Sequence, residues 1–161
     1  MKQDEVIREQ LLALLRGGNA HMSFDQAVDD FPTEQINTPL PGQPSYTPWR
    51  LLEHIRIAQR DILDFIRDPA YVSPEWPEGY WPPQGEAADE TRWRQTIEKF
   101  RADLRELEKI VKDPNTDLAA PMPQGQRYNV LREILVAADH NAYHLGEFGL
   151  MREAMGAWSK E

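Results

Sequence analysis

The sequence predicts an all-α fold, a four-helix bundle, from three observations. Four long segments carry apolar residues at a spacing of three and four, which is the period of an amphipathic helix. Clusters of proline and glycine separate these segments, and none shows the apolar–polar alternation of a strand. The chain has 161 residues, an ordinary length for one domain with one core. We therefore expect residues 1–161 to form a single bundle domain with one or two long connections.

The first predicted long helix covers residues 4–16, which begin with acidic residues and end at Gly17. Its apolar positions are Val6, Ile7, Leu11, Leu14 and Leu15. A short helix is predicted next, over residues 24–31, because Ser23 and Gln26 have the spacing of a capping box. A proline directly after residue 31 ends this short helix.

Residues 32–48 contain five prolines, so neither a helix nor a central strand can persist there, and we interpret them as a crossover connection. The second long helix is predicted over residues 48–67, with proline at its first position. Its apolar arc consists of Leu51, Leu52, Ile55, Ala58, Ile62, Phe65 and Ile66. The following loop, 68–88, is rich in proline and aromatic residues, which favours a segment that wraps the bundle or covers a pocket.

Two further helices complete the prediction. Residues 89–112 form the third long helix, whose apolar positions are Trp93, Ile97, Phe100, Leu104, Leu107 and Val111. The last helix is predicted from about Tyr128 to Met155, after a second loop that contains prolines and glycine. Its inward candidates are Val130, Ile134, Ala137, Leu145 and Phe148.

Composition excludes several functional classes. The net charge of −9 disfavours general nucleic-acid binding, because an acidic surface repels phosphates. The absence of cysteine removes disulfides, thiolate metal sites and cysteine nucleophiles. No apolar run approaches the roughly 18 residues of a membrane span, and the N-terminus is acidic where a signal peptide is apolar. We expect a cytoplasmic protein with neither nucleic-acid nor membrane partners.

Three of the four histidines have positions suited to a metal ion. His140 and His144 are four residues apart in the last predicted helix, so their side chains point within roughly 40° of each other. A helical wheel places both at the border of the buried face. His54 has the same border position in the second long helix. The three side chains could therefore converge on one side of the bundle.

Three neutral imidazoles suit ions such as Zn, Ni, Cu or Fe(II), and three protein ligands leave a position open for water or substrate. The alternative is that these histidines are hydrogen-bonded core residues, because H-x-x-x-H alone is a weak signal. Other metal motifs are absent. No glutamate follows His140, as a zincin requires, and no glutamate lies three residues before a histidine, as in di-iron bundles.

Two segments resemble a known family. Residues 51–55, LLEHI, together with residues 139–147, DHNAYHLGE, are similar to the DinB-like superfamily of damage-inducible four-helix bundles. The resemblance implies an up-down-down-up bundle with a long crossover, often a homodimer. It also implies that His54, His140 and His144 bind one divalent ion, with Zn, Ni, Mn or Fe as candidates. In the frequent form of the motif arginine, glycine and glutamine follow the second histidine, whereas this chain has leucine, glycine and Glu147.

The same superfamily includes thiol-dependent S-transferases, so the resemblance implies a metal-dependent enzyme of thiol S-transferase or hydrolase type. A thiol would have to be a small-molecule cosubstrate, because the chain has no cysteine. The alternative function is a non-catalytic, stress-associated bundle that binds a metal or another ligand.

Several other residues have two possible roles each. Glu147, within roughly 20° of His140 on the wheel, could support a metal ligand or be a surface acid. Asp61 could orient a ligand or be a solvated acid, and His21 is expected to be structural. Three aromatic residues of the loop could line a pocket mouth or cover helix ends: Trp76, Tyr80 and Trp81.

Overall fold

The computed structural model describes residues 3–158, and every regular element in that range is a helix. The five α-helices are α1 (Gln3–Arg16), α2 (Phe24–Val28), α3 (Pro48–Arg67), α4 (Glu90–Lys112) and α5 (Val130–Met155). Since α1, α3, α4 and α5 are the long ones, the prediction of an all-α bundle of four long helices is confirmed. None of the helices in the described range has the length and apolar character needed to cross a membrane.

Contacts between α3 and α4 show that these two helices run parallel. Near their first turns, the Thr96 hydroxyl donates a hydrogen bond to Glu53. Near their last turns, Arg67 pairs with Glu106. Parallel neighbours need a connection that returns along the bundle, and residues 68–89 make it.

The other two long helices run the opposite way. In α5, residue 144 lies beside residue 54 of α3, and residue 128, just before α5, lies beside residue 65. Near the start of α1, Arg8 donates to the carbonyls of Val111 and Thr116, at and just beyond the end of α4. Near the end of α1, Leu15 shares a small cavity with Phe100 in the middle of α4. Both α1 and α5 are therefore antiparallel to α3 and α4. The order is up-down-down-up, as the resemblance implies.

The prediction that the crossover lies at 32–48 is wrong. Those residues belong to the connection 17–47, which joins α1 to α3. These two antiparallel helices lie diagonally opposite each other, since each packs between α4 and α5. The crossover between parallel helices is the second connection, residues 68–89. Proline content shows where helices stop, but it does not show which helices become neighbours.

The core has two clusters of buried apolar residues, one in each half of the bundle, and Leu104 packs against both. The first is built around Trp49, Phe100 and Phe148, the second around Leu63 and Leu107. α1 is short and contributes only to the second cluster. In the first cluster, residues in and after α2 occupy the position that α1 has in the second: Phe24, Ala27, Val28 and Phe31.

The first two helices depart from the predicted pattern. Only two of the five apolar positions predicted for this helix, Leu11 and Leu15, are buried, while the other three stay exposed: Val6, Ile7 and Leu14. α2 ends at Val28 rather than at the predicted residue 31. The chain turns there because the Phe31 ring packs against Trp93 and Phe148 in the core.

Candidate metal centre

The structure brings His54, His140 and His144 together. The Nε2 atom of His54 lies 3.1 Å from Nε2 of His144 and 3.2 Å from Nε2 of His140. The three rings offer nitrogen atoms that all lie within 4.8 Å of one another. His54 comes from α3 and the other two from α5, so the antiparallel packing of these two helices creates the group.

The spacing of the nitrogen atoms fits a metal ion. Zinc–imidazole bonds of about 2.0–2.1 Å place two nitrogens of a tetrahedral ion about 3.3 Å apart. The two Nε2 separations, 3.1 Å and 3.2 Å, are close to that value. The donor set of three imidazoles suits Zn, Ni, Cu and Fe(II). These residues could therefore hold one divalent ion.

The Nδ1 atoms of two of the rings are bound on the side away from the group. Nδ1 of His54 lies 2.8 Å from the backbone carbonyl of Tyr80, and Nδ1 of His144 lies 2.5 Å from Oε2 of Glu147. A carbonyl and a carboxylate can only accept, so each Nδ1 carries the proton and donates it. This leaves the Nε2 lone pairs facing the group, as metal-ligating histidines require.

The third ring is held less tightly. Nδ1 of His140 is buried and has no partner at hydrogen-bond geometry. The side chain of Asn141 partly opposes the lowering of the His140 pKa. Asn141 itself donates to Gln59, which donates to the Phe100 carbonyl. Two buried amides therefore fix the side chain beside His140.

The electrostatics keep two of the imidazoles neutral. Burial lowers the pKa of His54, and the positive charge that a protonated His144 would carry lowers it further. Burial, followed by the neighbouring His144 and His54, lowers the pKa of His140 to about 3. Both rings are uncharged near neutral pH, and the neutral ring is the form that binds a metal ion.

An aromatic wall lies beside the group. The Trp81 ring stacks on His54, with 4.0 Å between ring centroids and an interplanar angle of 3°. Tyr80 supplies the carbonyl that holds His54, whereas Trp76 is 72% exposed and its ring lies against that of Tyr80. Of the three aromatic residues proposed for a pocket mouth, only Trp81 places its ring on a histidine. Trp76 is exposed, and Tyr80 reaches α3, where its hydroxyl donates to Asp61.

Glu147 supports a histidine rather than being a surface acid. Its Oε2 atom accepts from His144, and it also accepts from the hydroxyl of Tyr46 at 2.6 Å. Burial and this hydrogen bond raise the pKa of Tyr46, so the hydroxyl stays a donor. Sequence reasoning missed Tyr46, which lies in a connection without periodicity.

The remaining two candidates, Asp61 and His21, do not belong to the three-histidine group. Asp61 accepts a hydrogen bond of 2.8 Å from the Tyr80 hydroxyl, so it holds the loop that holds His54. His21 lies outside the three-histidine group, with Nδ1 2.8 Å from the Met22 carbonyl. This contact agrees with the structural role expected for His21.

Comparison with known proteins identifies the family. A search of curated proteins found no match, and neither did a search of solved structures. The sequence model of the DinB superfamily matches residues 18–148, which is most of the chain and includes all three histidines of the group. The helical bundle agrees with that match. The chain therefore belongs to the DinB superfamily.

Proposed function

We propose that this protein binds one divalent metal ion through His54, His140 and His144 and is a metal-dependent enzyme of thiol S-transferase or hydrolase type. The observation that carries the proposal is the convergence of three Nε2 atoms at 3.1–3.2 Å separations. The candidate ions are Zn, Ni and Fe, which suit imidazole ligands, and Mn, which the resemblance adds.

Three protein ligands leave at least one position for a substrate, which is the arrangement of a catalytic rather than a structural site. When bound, such an ion supplies Lewis acidity, which polarises a carbonyl or lowers the pKa of a thiol or water. The chain's own residues keep the ligands in place. The Tyr80 carbonyl and Glu147 fix two of the rings, and Trp81 covers one face of His54.

The choice between thiol transfer and hydrolysis depends on the nucleophile. The chain has no cysteine, so a thiol has to be a small-molecule cosubstrate. The chain's membership of the DinB superfamily supports the transferase hypothesis, because the resemblance described above implies that this superfamily includes thiol-dependent S-transferases. Hydrolysis needs only water as the second reactant.

The proposal is tested by turnover. Metal-loaded protein is assayed with common low-molecular-weight thiols and an activated electrophile, and separately with an activated ester. We expect turnover in one of the two assays that a chelator abolishes and that His144→Ala loses. His21→Ala is the matched control, because it removes a histidine outside the group. Equal turnover in the wild type, His144→Ala and chelated protein contradicts the proposal.

One observation favours a second candidate, a non-catalytic metal- or ligand-binding bundle. Glu147 and Asp61 lie behind the histidines, and within residues 3–158 no carboxylate joins the three rings in the group. In residues 3–158, the three-histidine group therefore contains no carboxylate that could act as a general base. This alternative predicts stoichiometric metal binding without turnover in either assay.

We also propose that the protein is a homodimer. Val136, Tyr143 and Leu150 are exposed, and their seven-residue spacing places them on one face of α5. Leu150 is 68% and Tyr143 65% exposed, which supports an interface along this helix. A cytoplasmic location and one domain over residues 1–161 remain predictions.

A further inference from the structure

We propose that Glu147 is a positioning residue that acts through His144 to set how tightly the centre holds its ion, and that Tyr46 keeps Glu147 in place. The inference rests on the proposed function, because it assumes a metal ion at the three histidines. It adds two residues to the centre, neither of which would touch the ion.

The geometry restricts how Glu147 can act. Its Oε2 atom lies 2.5 Å from Nδ1 of His144, while Nε2 of the same ring faces His54 at 3.1 Å. The imidazole ring therefore stands between the carboxylate and the nitrogen group. Glu147 does not join the group of nitrogens that could hold an ion, so its influence on such an ion passes through the ring.

The chemistry of this contact favours metal binding. A carboxylate that accepts the Nδ1 proton fixes the tautomer and the rotation of the ring, and it makes Nε2 a stronger donor. Its negative charge also offsets the charge that a divalent ion would bring to the three imidazoles. Removing such a partner typically weakens metal binding by roughly ten- to a hundredfold.

Glu147 is the only charged partner that the described structure gives to the three rings. His54 donates to a neutral backbone carbonyl, and Nδ1 of His140 has no partner at hydrogen-bond geometry. The side chain of Glu147 is 33% exposed and that of His144 11% exposed, so this hydrogen bond lies at the edge of the core. The effect of a charge is therefore concentrated on His144.

Tyr46 fixes the carboxylate. Its hydroxyl donates to the same Oε2 atom at 2.6 Å, so one oxygen receives two donors and the rotation of the carboxylate is restrained. The Tyr46 ring also lies against Trp81, which stacks on His54. The connection between α1 and α3 thereby supports two of the three histidines.

The test is a competition titration of Zn²⁺ against a chromophoric chelator. We expect the Kd to rise roughly ten- to a hundredfold in Glu147→Ala. The rise should be smaller in Glu147→Gln, because glutamine keeps an acceptor but loses the charge. In Tyr46→Phe we expect a severalfold rise. Glu153→Gln, which changes an exposed glutamate of the same helix, is the control and leaves the Kd unchanged. An unchanged Kd in both Glu147 variants overturns the inference while leaving the proposed function intact.

A second readout does not depend on metal. Nitrogen-15 NMR of the metal-free protein reports which ring nitrogen of His144 carries the proton. We expect the Nδ1-protonated form in the wild type and in Glu147→Gln, and a mixture of tautomers in Glu147→Ala. The same tautomer in all three overturns the positioning role. Failure of the wild type to bind Zn²⁺ refutes the proposed function and the proposed effect on affinity. The tautomer measurement still tests the hydrogen bond between Glu147 and His144, because it uses metal-free protein.

Discussion

Lowering the pH should destabilise the metal-free protein through His140. Burial, together with the neighbouring His144 and His54, lowers the pKa of His140 to about 3, compared with 6.5 for the unperturbed ring. The unfolded chain therefore binds a proton below pH 6.5 that the folded chain does not bind until about pH 3. The contribution of neutral His140 to the free energy of unfolding is fully present above about pH 6.5 and is lost progressively as the pH falls toward 3.

The size of the effect follows from these two pKa values. When the pH falls from 7.5 to 5, the ring of the unfolded chain binds a proton below its pKa of 6.5, while the ring of the folded chain does not. The two states therefore differ over about 1.5 pH units. At about 1.4 kcal/mol per unit, the free energy of unfolding falls by about 2 kcal/mol. For a chain of 161 residues this corresponds to a decrease in Tm of about 4–8 °C. His54, whose pKa is also lowered, changes stability in the same direction.

The assay is urea unfolding of chelated protein at the two pH values, followed by circular dichroism. His140→Gln removes the titrating ring, so its loss of stability between pH 7.5 and pH 5 should be smaller by about 2 kcal/mol than that of the wild type. His21→Gln is the reference, because it removes a histidine outside the group. An identical pH dependence in His140→Gln and the wild type would refute the reasoning.

Three other perturbations have defined outcomes. Trp81→Ala removes the ring that stacks on His54 and should raise the Kd for Zn²⁺ about three- to tenfold in a chelator competition. Trp81→Phe should be closer to the wild type, and equal Kd values in all three proteins would exclude a role for the stacked ring. Leu63→Ala should cost 2–5 kcal/mol in urea unfolding because this side chain is completely buried, and a cost below about 1 kcal/mol would contradict the described core. Val136→Asp combined with Leu150→Asp should convert the proposed dimer to a monomer in analytical ultracentrifugation, and an unchanged mass would place the interface elsewhere.

Regular helices were the most predictable part of the fold. The pattern of residues 48–67 predicts α3 to the residue, because Pro48 starts the helix and the apolar arc continues to its end. α5 begins at Val130 rather than at the predicted 128, since Asn129 caps the helix and the Tyr128 carbonyl accepts a hydrogen bond from Met122 in the loop. A loop contact between distant residues leaves no periodic signal.

The three-histidine group was predictable for the same reason. Helical periodicity fixes the directions of His54, His140 and His144, so their position at the inner border could be derived before the fold was known. The groups that orient them come from connections. Tyr46 lies 101 residues from Glu147, and the Tyr80 carbonyl lies 26 residues from His54. No spacing rule links residues that meet only through the tertiary fold.

Metal content is the most direct test of the central claim. Untagged protein, purified without chelator, is analysed for metals by mass spectrometry beside His54→Ala and His144→Ala, with His21→Ala as the control. We expect about one divalent ion per chain in the wild type and the control, and none in the other two variants. Absence of any ion after reconstitution with Zn, Ni, Mn and Fe(II), or equal content in all four proteins, would contradict that claim.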